Sequence, residues 1–154
     1  MLHSDVFTKF YSAFQKRDFE AMQACYHPQA TFSDPVFQNL SSSQVKAMWH
    51  MLCEQGKDLV IEFTVVGENQ VRWEAEYSFF KTGRKVKNII LANFEVKEGL
   101  IVSHIDSFDL WKWSQMALGV SGALLGWTPF MKAKIRGMAM AGLNKFIKNH
   151  PAYQ

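Results

Sequence analysis

No aspartate or glutamate occurs after Asp109, whereas Lys112, Lys132, Lys134, Arg136, Lys145 and Lys148 all do. Removing those six from the 17 cations leaves 11 against all 14 acids, so residues 1–109 carry −3 within an overall +3. A tail of one sign can dock on its own acidic body, on a partner subunit or on an anionic membrane. No nucleic-acid partner is expected. Cysteine is scarce too: Cys25 and Cys53 sit inside helical patterns without metal-ligand spacing. That excludes a disulfide scaffold and points to a reduced, cytoplasmic protein. Long apolar runs are missing. The longest uncharged stretch, Trp113 to Met131, contains Ser, Gln, Thr, Pro and five small residues, a poor membrane span. The opening MLHSDVFTKF has no basic segment leading into an apolar run, so no secretory signal is expected.

What remains is a chain of 154 residues, 48% hydrophobic and 20% charged, which suits one domain with its own core. Thirteen Phe, five Trp and four Tyr are enough to line a cavity as well as fill that core.

Val6, Phe7, Phe10, Tyr11 and Phe14 recur at helical spacing behind Ser4 or Asp5 as cap, and Lys16 and Arg17 close that helix. Asp18 starts a shorter helix whose Phe19, Met22 and Tyr26 face inward, ended by Pro28. A brief strand over Ala30 to Phe32 precedes the turn at Asp34-Pro35. Ser42 or Ser43 caps a third helix, with Val45, Met48, Trp49 and Leu52 as its buried stripe, and Gly56 stops it. Four strands follow. In the second, Val71, Trp73, Ala75, Tyr77 and Phe79 alternate with polar residues.

A two-residue turn at Thr82-Gly83 pairs Tyr77 with Asn88, Ala75 with Ile90 and Trp73 with Ala92. The next turn decides which side chains point inward, because a slip of one residue inverts them all. A two-residue loop at Glu98-Gly99 brings Ser103, Ile105 and Ser107 to the buried face. A three-residue loop, with Gly99 left-handed, brings Val102, His104, Asp106 and Phe108 instead. Glycine in third place favours the second form. His104 then lies beside Trp73 and Ala92, and Asp106 beside Ala75 and Ile90.

After Trp113 the chain is helical again. Thr128 caps and Pro129 starts a final helix whose Met131, Ile135, Met138, Gly142 and Phe146 trace one stripe. The expected architecture is α+β: a cone-shaped, curved antiparallel sheet of about four long strands, its mouth closed by three N-terminal helices. Residues 1–113 form the cone. Residues 114–154 form a helical C-terminal extension on the same domain or on a partner subunit.

Two segments carry a resemblance to the nuclear transport factor 2-like superfamily, which includes SnoaL-like polyketide cyclases, ketosteroid isomerases and limonene epoxide hydrolases. The first, DFEAMQACYHPQATFSDPVF, is similar to the isomerase pattern D-x-E-A … Y-x-x-x-A-T-x-x-D-P-V, and places Asp34 where that family has its general base. The isomerase oxyanion-hole tyrosine falls on Phe10 and its protonated aspartate on Ala92 or Leu91. The second, TGRKVKNIILANFEVKEGLIVSHIDSFDL, resembles the epoxide hydrolase hairpin ending W-R-D-Y-F-D-L, and Asp106 matches one carboxylate of its Asp-Arg-Asp set. Trp73 and Ala75 occupy the other two positions. The resemblance implies a pocket for a small molecule with neither relative's complete catalytic set.

Asp106, His104 and Asp34 are the candidate catalytic residues, acting without cofactor in isomerase, cyclase or hydrolase chemistry on an apolar, oxygenated substrate. Asp34 before proline also suits a turn aspartate. Asp106 also suits a satisfied pair with His104, Asn88 or Tyr77. Phe10, Phe14, Tyr26, Trp49, Trp73, Tyr77, Asn88 and Phe108 are the expected pocket or core wall. No metal is expected, since no further ligand approaches His104 and Asp106 at the right spacing. Asp109 points outward, toward Lys87 or Lys112. The apolar outward pair Ile89 and Leu91 suggests a homodimer through the convex sheet face. The basic final helix could lie on a membrane, but docking on its own domain accounts for the same stripe. A non-catalytic ligand-binding or oligomeric interaction module is the alternative reading.

Overall fold

The computed structural model describes residues 3–154. Helix α1 (His3–Gln15) buries Phe7, Phe10, Tyr11 and Phe14 on one face, and it already includes Ser4 and Asp5. Arg17 turns the chain with a positive φ of 54°. Asp18 then caps α2 (Phe19–Gln23) by accepting the Ala21 amide. This helix is shorter than its periodicity suggests, and Tyr26 begins strand β1 (Tyr26–Ser33) instead. Helix α3 (Ser42–Gln55) is capped by Ser41, one residue before the expected Ser42 or Ser43. Gln44 completes a reciprocal capping box there, and such a cap is worth about 1 kcal/mol.

Strands β2 (Val60–Gly67), β3 (Gln70–Ser78), β4 (Lys85–Lys97) and β5 (Leu100–Ser107) form an antiparallel run, with β1 added parallel to β5 at its edge. The order is β1-β5-β4-β3-β2: the four expected long strands plus the brief first strand, which runs over Tyr26–Ser33 rather than Ala30 to Phe32 alone. The first half of that strand hides in the sequence because its register breaks between Tyr26 and Thr31. Pro28, with no amide proton, is tolerated only on such an edge.

Both hairpins differ from the expected form. The β3–β4 loop spans four residues, closed by the Phe79 amide donating to the Arg84 carbonyl at 2.8 Å. Pairing is therefore offset by two: Tyr77 meets Val86, Ala75 meets Asn88, Trp73 meets Ile90 and Val71 meets Ala92. An even offset leaves every side chain on its expected face. The β4–β5 turn is the two-residue form, with Glu98 at φ 55° and Gly99 at φ 78°. Lys97 pairs with Leu100 and Val96 with Ile101, but Glu95 pairs with Ser103, so Val102 is an inserted bulge residue. That bulge restores the inward face to His104 and Asp106. Ile101, not Val102, joins them there, opposite Val96, while His104 pairs with Phe94 and Asp106 with Ala92.

Helices α1 and α3 cover the inner sheet face and share one large core with it. Past Ser107, the Asp109 side chain accepts the Lys112 amide and caps α4 (Leu110–Leu118), rather than meeting a lysine side chain. Helix α5 (Val120–Leu125) and the 20-residue α6 (Pro129–Lys148) follow. Thr128 caps α6 as expected. Its buried residues are Met131, Ile135 and Leu143, with Leu143 in place of the expected Gly142. Val86, Leu110, Trp113, Ala117, Met131 and Ile135 form a second apolar cluster tying this helical layer to the sheet. Arg136 donates to the Pro35 carbonyl at 2.9 Å, and Ser43 to the Tyr153 carbonyl at 2.9 Å, so the tail is fastened at two further points.

Candidate functional site

A cavity of about 260 Å³ lies between the inner sheet face, α3 and α6. Its volume falls just below the usual range for small-molecule pockets, roughly 300–1,000 Å³. Of the pocket residues expected from sequence, Phe14, Trp49, Trp73, Tyr77, Asn88 and Phe108 line it, as do Asp34 and Asp106. Phe10, Tyr26 and His104 do not. They lie behind the wall, fully buried or nearly so.

The buried residues form a continuous polar chain. Trp49 Nε1 donates to the Tyr26 hydroxyl at 2.9 Å, and that hydroxyl lies 2.7 Å from His104 Nδ1. His104 Nε2 lies 2.9 Å from Asp106 Oδ1, which also receives a long bond of 3.4 Å from Trp73 Nε1. The indole can only donate. Every proton finds an acceptor when Tyr26 donates to Nδ1 and the neutral imidazole donates from Nε2 to an Asp106 carboxylate. Both bonds to Asp106 fall on Oδ1, so Oδ2 has no partner among the described residues and faces the cavity.

Asp34 has the same division of labour. Its Oδ1 accepts the Val36 and Phe37 amides at 2.7 and 2.6 Å, which makes the tight turn at Pro35. Oδ2 has no partner among the described residues. Asp34 is half-buried and lines the cavity. Burial in these apolar walls raises its pKa to about 7, with the charge of Asp106 adding to the rise and the two amides opposing it. The turn role and the cavity role, alternatives in the sequence, coexist through different oxygens.

Tyr77 accepts from Trp113 Nε1 at 2.8 Å, and its pKa is raised by burial and by the nearby Asp34 charge, against the Trp113 bond. The Asn88 amide is 8% exposed, lines the cavity and has no side-chain partner among the described residues. Tyr11, beside the Phe10 that stands at the isomerase tyrosine position, has a fully buried hydroxyl without a partner among the described residues.

One grouping was missed. His50, Glu54 and His150 bring ligand-type atoms within 4.8 Å of one another. His150 lies about a hundred residues from the other two in sequence, so no spacing rule could find it. Their contacts read as a fastening for the C-terminal segment: His50 stacks on Phe19 at 3.7 Å and bonds the Tyr153 hydroxyl at 2.8 Å, while His150 stacks on Phe146 at 3.8 Å.

The model of the SnoaL-like domain matches residues 7–104, well over half the chain. The chain belongs to that family. Solved structures agree at the level of fold. An LEH-like epoxide hydrolase from M. tuberculosis is 19% identical, with a TM-score of 0.56 over 79% of this chain and 92% of that one. IdmH from Streptomyces antibioticus, a candidate polyketide cyclase, is 20% identical, with a TM-score of 0.61 over 78% of this chain and all of that one. TerC, crystallised with polyporic acid, is 16% identical, with a TM-score of 0.59 over 74% of this chain and 96% of that one. No curated protein matches the sequence. In this SnoaL-like chain α4, α5 and α6 lie beyond the matched residues, and α6 nonetheless supplies part of the cavity wall through Ile135, Met138 and Ala139.

Proposed function

We propose that this SnoaL-like protein is a cofactor-independent acid–base enzyme acting on an apolar, oxygenated small molecule. One observation carries the reading. Asp34 and Asp106 each commit one carboxyl oxygen to the fold and leave the other open to the same apolar cavity. Two carboxyls in unlike surroundings can divide acid and base roles at one pH. Asp34, protonated up to about pH 7, is the acid. Asp106, receiving hydrogen bonds from His104 and Trp73, is the base, and His104 positions it from behind.

A base and an acid flanking a substrate can shift a proton between carbons beside a carbonyl, close a ring by enolate attack, or activate water. The similar epoxide hydrolase and candidate cyclase fit this range. Asn88 is suited to hold the substrate oxygen. The test is turnover of a panel of cyclic enones, β-dicarbonyl compounds and epoxides. Asp106→Asn is expected to lower any turnover by about 10²–10⁴-fold with its melting temperature little changed. Full activity in that variant would sink the assignment.

A second reading is a binding module with the same cavity. The Trp49–Tyr26–His104–Asp106 chain favours it, because buried groups that satisfy one another serve stability without chemistry. Compounds that raise the melting temperature but are recovered unchanged would decide for it. The convex sheet face exposes Ile89, Leu91 and Ile105 at 45, 38 and 49%, which supports a homodimer there. We take residues 114–154 as an extension of the same domain. The two free, buried cysteines suit a reducing cytoplasm.

A further inference from the structure

Helix α5 is inside out. Gly122 is its buried residue, and a Cβ there would stand 1.9 Å from the Ser114 carbonyl oxygen, so α4 and α5 pack backbone to backbone. The large side chains point away, with Val120 76%, Leu124 66% and Leu125 46% exposed. A helix stabilised by its own core has the reverse arrangement. The start of α4, the α5–α6 turn and the start of α6 extend the surface through Trp111 at 43%, Trp127 at 58% and Phe130 at 74%. These six are half of the twelve large exposed hydrophobic residues among those described, and all fall between residues 111 and 130.

Three further observations bear on what covers them. The first is charge. The region from 110 onward holds six cations and no acid, and Phe130 and Lys134 are one turn apart on an exposed stripe that continues through Lys145 and Lys148. A second copy of this chain meeting the patch about a two-fold axis would set cation against cation. The second is hydrogen bonding. Trp111 and Trp127 donate their indole protons to the Ala123 and Leu124 carbonyls at 3.0 Å each, so both rings can enter an apolar layer with no stranded donor. The third is position. Exposed Phe80 and Lys81 belong to the cavity wall, and Lys81 reaches Met138 of α6 at 3.7 Å, so the cavity meets solvent beside α6.

We propose that the α4–α5 hairpin and the start of α6 form a docking surface for an anionic lipid bilayer. The aromatic and aliphatic side chains enter the headgroup boundary, and the lysines along α6 meet the lipid charge. Among the described residues no helix is long and apolar enough to cross a membrane, so the contact lies in the plane of one leaflet. This face differs from the α6 stripe of Met131, Ile135 and Leu143, which is spent on the protein's own core.

The test is co-sedimentation of the full chain with phosphatidylcholine vesicles, with and without phosphatidylglycerol. Wild type should bind the anionic vesicles, with a blue shift of tryptophan emission. Binding should be largely lost in high salt. In the Trp127→Ser, Phe130→Ser double variant, folded by circular dichroism, the bound fraction should fall at least about tenfold. No binding to either vesicle, binding indifferent to lipid charge, or undiminished binding by the folded variant would overturn the proposal. So would a wild-type dimer that the double variant converts to monomer. No turnover is read, so failure here leaves the assignment of the cavity untouched.

Discussion

The two sides of the cavity wall are built on different rules. Behind it, Trp49, Tyr26, His104 and Asp106 Oδ1 exhaust one another's hydrogen bonds in a space with almost no solvent access. On the cavity side, Asp34 Oδ2, Asp106 Oδ2 and the Asn88 amide are left open. Buried polar groups are costly when unpaired, so a fold selected for stability alone would close both sides. The difference separates residues that hold the site from residues that meet a ligand. Asp106 belongs to both sets, one oxygen each.

Mutations can break that division. The largest effect on stability is expected behind the wall. His104→Ala strands the Tyr26 hydroxyl and an Asp106 oxygen and opens a void, at a cost of about 3–5 kcal/mol in urea unfolding. A loss below about 1 kcal/mol would mean that the chain is not the support described.

Asp34 gives a smaller effect with a pH signature. Its folded-state pKa of about 7 lies well above the unfolded value near 4. The native state therefore binds more protons between those values, and stability falls as pH rises from about 4 to about 7, then stays low. Asp34→Asn keeps an acceptor for the Val36 and Phe37 amides and removes that slope. It should gain roughly 1–2 kcal/mol over wild type at pH 8, discounted because Asp34 is partly open, and nothing at pH 3. Parallel pH profiles for the two proteins would remove Asp34 from the acid role.

The smallest effect on stability belongs to Asn88→Ala, expected within about 1 kcal/mol of wild type because no protein partner is lost. The same variant should weaken any ligand detected by thermal shift. An unchanged affinity would limit the open set to the two carboxyls.

Local rules carried much of this from the sequence. The helix stripes, the Thr128–Pro129 start and the inward face of Asp106 follow from spacing and from family likeness. What escaped depends on non-local pairing. Tyr26 continues a helical pattern in sequence, yet it pairs with Ile101 in a parallel strand, which is how it reaches His104. The inverted α5 escaped because periodicity reports which residues share a face and not which way that face points. His104 and Asp106 reach their expected face by compensation. The turn is one residue shorter than expected, and the Val102 bulge supplies the missing one.

That bulge makes the site a matter of parity. Between Gly99 and Asp106 the strand carries an odd residue, and the chemistry of the inner wall depends on its staying outside the ladder. Deleting Val102 would leave His104 opposite Phe94 and Asp106 opposite Ala92, whereas pairing Val102 in ordinary register would exchange the two faces beyond it. Ser103, Ile105 and Ser107 would then face the core, and both ionisable groups would face solvent. One step of register therefore separates this wall from an uncharged lining of the same length, and neighbouring sequences with different chemistry could differ in phase rather than in composition.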